Sequence, residues 1–176
     1  MRLTPAVYAG IIVAAAISRI VPHAPNFTPI GALALFAGAS FEGRLMAFAV
    51  PVAAMLLSDA VLGFHHDMPS VYVSFLVTVL MGRYLRRSGQ SPKASSIGAA
   101  SVLSAMVFYV LTNFSVWINS GMYPHTVTGL LTCYTMAIPF FGNTLASGLF
   151  YSLMMFGSAQ LADRTVLKPV TASSTR

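Results

Sequence analysis

Charged side chains are scarce along the whole of this chain, and their scarcity limits its fold more than any other feature. Only 8% of the 176 residues are Asp, Glu, Lys or Arg, whereas 56% are hydrophobic. Soluble globular domains carry about 25% charged residues. A chain this apolar exposes its surface to lipid, where a helix satisfies its backbone polar groups internally. The sequence therefore predicts an all-α integral membrane protein with the lipid bilayer as its main partner.

Polar turns divide the chain into apolar blocks. A membrane-spanning helix needs about 20 apolar residues, and fewer where neighbouring helices or local thinning help. Six blocks are predicted to span: Pro5–Val21, Pro29–Phe41, Leu45–Phe64, Ser70–Leu85, Ile97–Asn119 and Phe140–Ala162. Another block, Val127–Ile138, is too short and ends at Pro139, which predicts an interfacial or re-entrant helix before the last span. We expect one six-helix membrane domain over residues 1–162 and a polar cytoplasmic tail over residues 163–176.

The basic residues predict how these helices are oriented. Cytoplasmic loops of membrane proteins carry an excess of Lys and Arg. With six spans and a cytoplasmic N-terminus, every Lys and Arg except Arg19 falls on the cytoplasmic side. Both termini are therefore predicted to be cytoplasmic. This topology accounts for the net charge of +6 without a nucleic-acid partner.

The stretch Arg19–Phe36 contains the link between the first two blocks, a short polar turn broken by prolines at the predicted outer surface. A proline lacks the backbone N–H and has a fixed φ, so no helix runs unbroken through the link. The polar residues His23 and Asn26 are held here at a membrane boundary. This arrangement predicts either a structural hinge or one wall of a binding site.

Other polar and aromatic residues fall at the same outer end. A carboxylate within a span costs on the order of 3 kcal/mol at the bilayer centre, so Asp59 must face protein or a water-filled cavity. It either pairs with Arg19, tying the first and third spans together, or meets a ligand. Seven residues are candidates for ligand binding. His23 and Asn26 are predicted at the rim of the site, and Asp59 is its buried polar anchor. Asn113 and Asn143 are predicted as hydrogen-bonding walls, and Trp117 and Tyr123 as stacking surfaces.

Helical spacing supports a pocket between the last two spans. Two sets of residues recur at every fourth position, so each set lies on one helix face: Tyr109, Asn113 and Trp117, and Asn143, Ser147 and Tyr151. Amides above aromatic rings suit a ligand with ring systems and hydrogen-bonding edges. The alternative is an interfacial aromatic belt with hydrogen bonds between helices.

Two further patterns suggest binding partners. His65, His66, Asp67 and His125 carry groups that ligate zinc, nickel or cobalt, and they form the alternative prediction of a metal site. Small residues recur at every fourth position of the first span, where another helix could approach closely: Ala6, Gly10, Ala14 and Ser18. This small-residue ladder predicts either packing within the protein or docking of a partner subunit.

Evidence for catalysis is lacking in the sequence. It contains no GxxxxGK[ST], HExxH or GxSxG motif. The single cysteine, Cys133, excludes an internal disulfide and a multi-cysteine metal cluster. We predict no catalytic residue and no cofactor, and we do not expect the protein to be an enzyme in its own right.

Four segments carry a family resemblance: RIVPHAPNFTPIGALALFAGA (19–39), SDAVLGFH (58–65), TNFSVW (112–117) and GLLTCYTMAIPFFGNTL (129–145). They resemble a family of small bacterial membrane proteins of unknown function, which is similar to the substrate-binding S components of energy-coupling-factor (ECF) vitamin transporters. The resemblance implies an S-component-like bundle in the bacterial inner membrane with an outward-facing site. It also implies docking, through the small-residue ladder, on a transmembrane coupling subunit that works with ATPases.

These observations predict a transport function. The protein is expected to capture a small vitamin-like or cofactor-precursor ligand from outside, with a cobalamin-like compound as one candidate, and to help bring it across the membrane. One alternative is a permease subunit for divalent cobalt, nickel or zinc. Another is a structural or assembly subunit of a larger membrane complex, in which the polar residues serve only helix packing.

Overall fold

The computed structural model describes residues 3–87 and 92–166, with the side chains of the last helix described up to residue 162. These ranges contain six helices: α1 Pro5–Ile20, α2 Ile30–Ser40, α3 Arg44–Leu62, α4 Met68–Arg86, α5 Ala94–Asn119 and α6 Val127–Val166. They contain no strand, as the all-α prediction requires. Residues 88–91 of the hydrophilic loop and 167–176 of the predicted tail lie outside the described residues.

Four of the helices are long and apolar enough to cross a membrane. By length and composition, α3, α4, α5 and α6 are each able to cross a bilayer, whereas α1 and α2 are apolar but shorter. At 1.5 Å per residue, α1 is about 24 Å long and α2 about 16 Å, against a hydrocarbon core of about 30 Å. The structure thus supports four membrane-crossing helices of the six predicted.

The predicted break at Pro139 is wrong. Residues 127–138 do not form a separate interfacial or re-entrant helix, because α6 continues through Pro139 as one helix of 40 residues. Two tyrosines join this first part of α6 to α5. The Tyr109 hydroxyl donates to the Tyr134 carbonyl at 2.5 Å, and the Tyr134 hydroxyl donates to the Val110 carbonyl at 2.7 Å. These two hydrogen bonds hold the part of α6 before Pro139 against α5, and proline is tolerated inside membrane helices that pack against neighbouring helices.

The short helix α2 forms the centre of the bundle. It packs against α3, α4, α5 and α6, and its buried residues cover all of its faces: Ile30, Ala32, Leu33, Ala34, Leu35, Ala37, Gly38 and Ala39. At its closest contact, a Cβ built on Gly38 or on Gly82 of α4 would lie 3.0 Å from the other glycine's Cα. The two backbones therefore touch, which only glycine at both positions permits.

Basic residues close the C-terminal end of α2. The Phe41 carbonyl accepts hydrogen bonds from Arg83, at 3.0 Å, and from Arg86. Guanidinium groups favour this position because unpaired carbonyls make a helix C-terminus partly negative. These two members of the predicted cytoplasmic set therefore also stabilise the central helix.

The register between α2 and α4 places the start of α2 inside the bundle. The two helices run parallel, because Gly31 lies beside Phe75 and Gly38 lies beside Gly82. Ile30 is therefore level with residue 74, about 9 Å beyond the first residue of α4 at 1.5 Å per residue. The segment 21–29 therefore has to descend into the bundle to reach α2.

Candidate functional site

A cavity of about 330 Å³ lies in the middle of the bundle, where each of the six described helices contributes to its lining. At one end, the cavity is lined by the exposed residues His23 and Asn26 in the segment after α1 and by His65 after α3. At the other end, it is lined by the buried residues Ser101 on α5 and Ser152 on α6. Along α5 it reaches from Phe108 to Ser101, about 10 Å at 1.5 Å per residue. The cavity therefore connects exposed loops with the buried interior.

Buried serines supply the polar groups of the cavity. Its serine floor consists of three residues that are 2–7% exposed: Ser101, Ser104 and Ser152. The Ser101 hydroxyl donates to that of Ser152 at 2.8 Å, and Ser104 shares a hydrogen bond of 2.7 Å with Thr78. A hydroxyl has one donor and two acceptor lone pairs. These paired serines therefore keep capacity to accept hydrogen bonds from a bound molecule.

Aromatic rings form an apolar wall beside the serines. Phe75 of α4 and Phe108 of α5 both line the cavity, and their ring centroids are 5.4 Å apart. Ile30 and Leu35 extend this wall along α2. A mainly apolar wall with a few convergent polar groups is the usual composition of a small-molecule site.

An ion pair lies at the edge of the cavity. Arg19 Nη1 is 2.6 Å from Asp59 Oδ1, and the same nitrogen donates to the Ser58 hydroxyl at 2.5 Å and to the Met55 carbonyl at 3.3 Å. The Tyr72 hydroxyl donates to Asp59 Oδ2 at 2.7 Å. Of the two expected roles for Asp59, the structure therefore shows the pairing with Arg19. Arg19 lines the cavity, whereas Asp59 is 2% exposed and lies behind it.

The segment 21–29 is fastened to α6 above the cavity. Asn143 Nδ2 donates to the Pro25 carbonyl at 2.9 Å, and the Ser147 hydroxyl lies 3.4 Å from the Asn26 carbonyl. The Phe27 ring packs near Tyr151, with centroids 5.9 Å apart. Asn26 has a φ of 62°, a left-handed conformation that asparagine adopts more readily than most residues. The predicted rim residues His23 and Asn26 line the cavity. Asn143 contributes indirectly, because its hydrogen bond holds the segment that carries them.

The remaining candidates on α5 and in the following turn lie away from the cavity lining. Asn113 donates to the Tyr109 carbonyl at 2.8 Å within its own helix. Trp117 Nε1 donates to the Pro124 carbonyl at 3.0 Å, in the turn that also holds Tyr123. Trp117 therefore braces the turn that connects α5 to α6, and the Asn113 side chain bonds within α5.

The structure does not bring the alternative metal ligands together. His65 lines the cavity, but Asp67 Oδ1 accepts a hydrogen bond from Ser115 at 2.8 Å and His125 packs on Trp117. His66 is exposed and is absent from the cavity lining. Across residues 3–87 and 92–162, no group of three or more His, Cys, Asp or Glu side chains could hold a metal ion.

The small-residue ladder of α1 faces outward. Ala6, Gly10 and Ala14 are exposed, and a Cβ built on Gly10 would meet no atom within 4 Å. α1 packs on α3 and buries Ala15 and Ala16 instead. The alternative that the ladder packs inside the protein is therefore wrong for these three residues.

The sequence analysis did not select the serines of the floor. Ser101 and Ser104 share a face of α5 with Phe108, since they are three and seven positions apart. Ser147, Gly148 and Ser152 repeat this pattern of small residues on α6. The sequence signal that could have indicated this floor is the helical spacing of small polar residues on both α5 and α6.

Comparison with known proteins places the chain in a family. Residues 1–171 match DUF6580, a family of unknown function. The chain belongs to this family. No curated protein and no solved structure matches the chain. Membership in DUF6580 agrees with the predicted family of unknown function, while the relationship to ECF S components stays a prediction.

Proposed function

We propose that this DUF6580 protein is the ligand-capture subunit of a membrane transport system. It binds a small polar organic compound in the central cavity from the outer side and helps bring it across the membrane. The observation that carries the proposal is the cavity itself, which joins a buried serine floor to the exposed loop residues His23 and His65. Helix packing alone does not require such a space at the centre of a bundle.

The size of the cavity limits the ligand. Small-molecule sites usually have volumes of about 300–1,000 Å³, so 330 Å³ is near the lower end. A vitamin or cofactor precursor of one or two rings fits this volume. A cobalamin-like compound is much larger, and the cavity does not favour it.

A transport function would explain two further features, the position of the loop histidines and the exposed small-residue ladder. The positive-inside rule predicts that His23 and His65 face the outside of the inner membrane, where a nutrient arrives. The exposed small-residue ladder on α1 is a surface on which a transmembrane coupling subunit with its ATPases could dock closely. The energy for uptake would then come from that partner.

The rival structural function has one observation in its favour. Among the described residues, every buried side-chain nitrogen and oxygen has a hydrogen-bond partner. A purely structural bundle would show such pairing, because unpaired polar groups in a membrane are costly. The metal-permease alternative is less favoured, since the described histidines do not assemble into a ligand set.

The deciding experiment is retention of a compound by the purified protein. The detergent-solubilised protein is incubated with the small-molecule fraction of a bacterial cell extract and repurified, and the compounds released on denaturation are identified by mass spectrometry. Gly148→Leu is the blocking variant, because Gly148 lines the cavity and a Cβ there would lie 4.0 Å from its nearest neighbour, the Ser101 carbonyl. Gly157→Leu is the matched control on an exposed face of the same helix.

We expect the wild type and Gly157→Leu to retain the same compound and Gly148→Leu to lose it. Equal recovery from all three proteins, or none above a detergent blank, would favour the structural function instead. Melting temperatures of the three proteins show whether Gly148→Leu remains folded.

A further inference from the structure

We infer that the cavity selects an anion of the carboxylate class, and that Arg19 is the residue that binds it. This inference rests on the proposed function, because it assigns a chemical class to the compound held in the same cavity. It also gives Arg19 a role besides its pairing with Asp59.

The first argument is that half of the Arg19 guanidinium group is unused. This group carries five N–H donors in a rigid planar fork. Its hydrogen bonds to Met55, Ser58 and Asp59 all come from Nη1. Within the described part of the chain, Nε and Nη2 donate no hydrogen bond.

These two nitrogens form one edge of the fork, and that edge matches the two oxygens of a carboxylate. The Arg19 side chain is 17% exposed and lines the cavity. It is therefore held in place by Asp59 while it keeps donors available for a second acceptor.

The second argument is the charge of the cavity wall. Among the described residues, the lining contains no Asp, Glu or Lys, and Arg19 is the one permanently charged residue in it. The lining histidines, His23 and His65, are able to add only positive charge. A cationic compound would meet no counter-charge here, and burying an unpaired charge is costly. An anion would be paired by Arg19.

The third argument concerns Asp59. Its Oδ1 is bonded to Arg19 and its Oδ2 to Tyr72, and it does not line the cavity. The Arg19–Asp59 pair is therefore neutral overall, and what it offers a ligand is the remaining N–H donors of Arg19, so the site suits an anion of low charge. A phosphate monoester carries a charge of about −1.5 to −2 near neutral pH, which would leave charge unpaired. A carboxylate with a ring or short polar chain matches both Arg19 and the serine floor.

The test uses the same cell-extract fraction and the full-length protein in detergent. We expect the compounds retained by the wild type to be carboxylates, and Arg19→Gln to reduce their retention by roughly tenfold or more. Arg44→Gln is the matched control, since it removes the same charge from an exposed position outside the cavity lining. Its retention should equal that of the wild type.

Arg19→Gln leaves Asp59 buried without its partner and could fail to fold. The double variant Arg19→Gln/Asp59→Asn replaces the ion pair by two amides and removes that problem. A measurement on the wild type alone gives an independent answer: the retained acid is converted to its primary amide and tested again. The amide should bind at least tenfold more weakly.

Retention of neutral or cationic compounds, undiminished in the double variant, would overturn the carboxylate assignment and leave the capture function intact. An amide that binds as well as its acid would overturn it too. Failure of the wild type to retain any compound above Gly148→Leu would overturn the capture function, and the inference with it.

Discussion

Arg19 and Asp59 join the end of α1 to the end of α3 through an ion pair of 2.6 Å, and Tyr72 of α4 holds the other carboxylate oxygen at 2.7 Å. Three helices thus meet at one carboxylate that is 2% exposed. The pair closes the edge of the cavity and sets the position of Arg19. Its loss should therefore affect both the stability of the bundle and the shape of the site.

Asp59→Asn should destabilise the protein. The substitution leaves a largely buried guanidinium group without its counter-charge, and breaking a buried pair in this way costs about 3 kcal/mol. Tyr72→Phe, which removes one hydrogen bond and keeps the ring, should cost about 1 kcal/mol. Thermal unfolding in detergent measures both. Unchanged stability of Asp59→Asn would mean that the ion pair is not a structural link.

The contact between α2 and α4 predicts a severe effect for Gly82→Ala. A Cβ at this position would lie 3.0 Å from the Gly38 Cα and still closer to the Leu35 carbonyl oxygen, so the two helices would have to separate. Overpacking of this kind costs about 1–3 kcal/mol, and more against backbone atoms. Gly98→Ala is the control, because a Cβ there meets no atom within 4 Å. It should be neutral or stabilise by up to about 1 kcal/mol. Similar melting temperatures for both variants would contradict the packing described.

Asn143→Ala should loosen the segment 21–29. The substitution removes the 2.9 Å hydrogen bond to the Pro25 carbonyl, which fastens this segment to α6. We expect faster amide hydrogen exchange across 21–29 and weaker retention of the bound compound. Asn113→Ala is the control, because that amide bonds within α5 and does not line the cavity. Equal exchange in both variants would show that the hydrogen bond does not restrain the segment.

Gly10→Leu tests the small-residue ladder. Its surroundings are empty to 4 Å in the isolated protein, so stability and compound retention should stay at the wild-type level. If a coupling subunit docks on the ladder, a bulky side chain there should block close approach and reduce uptake by cells expressing the protein. Gly157→Leu, on an exposed face of α6, should not change uptake. Wild-type uptake by Gly10→Leu would exclude docking at this position.

Labelling with impermeant thiol reagents tests the orientation. Cys133 is first replaced by serine, after which Ser120→Cys should react in intact cells and Lys93→Cys only after the cells are opened. Both positions are exposed in the structure. Labelling of both from outside would contradict the predicted topology.

The bounds of helices that consist of one long apolar run were predictable from the sequence. The predicted span Ile97–Asn119 ends at the last residue of α5, and Leu45–Phe64 agrees with α3 to within two residues at each end. Pro139 misled the prediction of α6, because sequence alone does not show that the Tyr109 and Tyr134 hydroxyls brace that stretch against α5.

The sequence indicated those residues of the site whose side chains are rarely found within a membrane. Arg19 and Asp59 are costly there and so attracted notice, whereas a serine in a membrane helix is as common in packing as in binding. The facing of Ser101 and Ser152 depends on the register between α5 and α6, which a single sequence does not specify.

If the cavity binds a compound as proposed, the late start of α2 shortens the route that this compound has to travel. Ile30 lies about 9 Å beyond the first residue of α4, and the cavity continues beside α2 as far as Leu35, so the compound would already lie deep among the helices before any of them moves. The barrier that remains is the C-terminal part of α2, where the backbone of Gly38 contacts that of Gly82 in α4. Release on the inner side would then have to displace α2 from α4 or pass between α2 and α6, so any coupling partner would act on the inner half of the bundle.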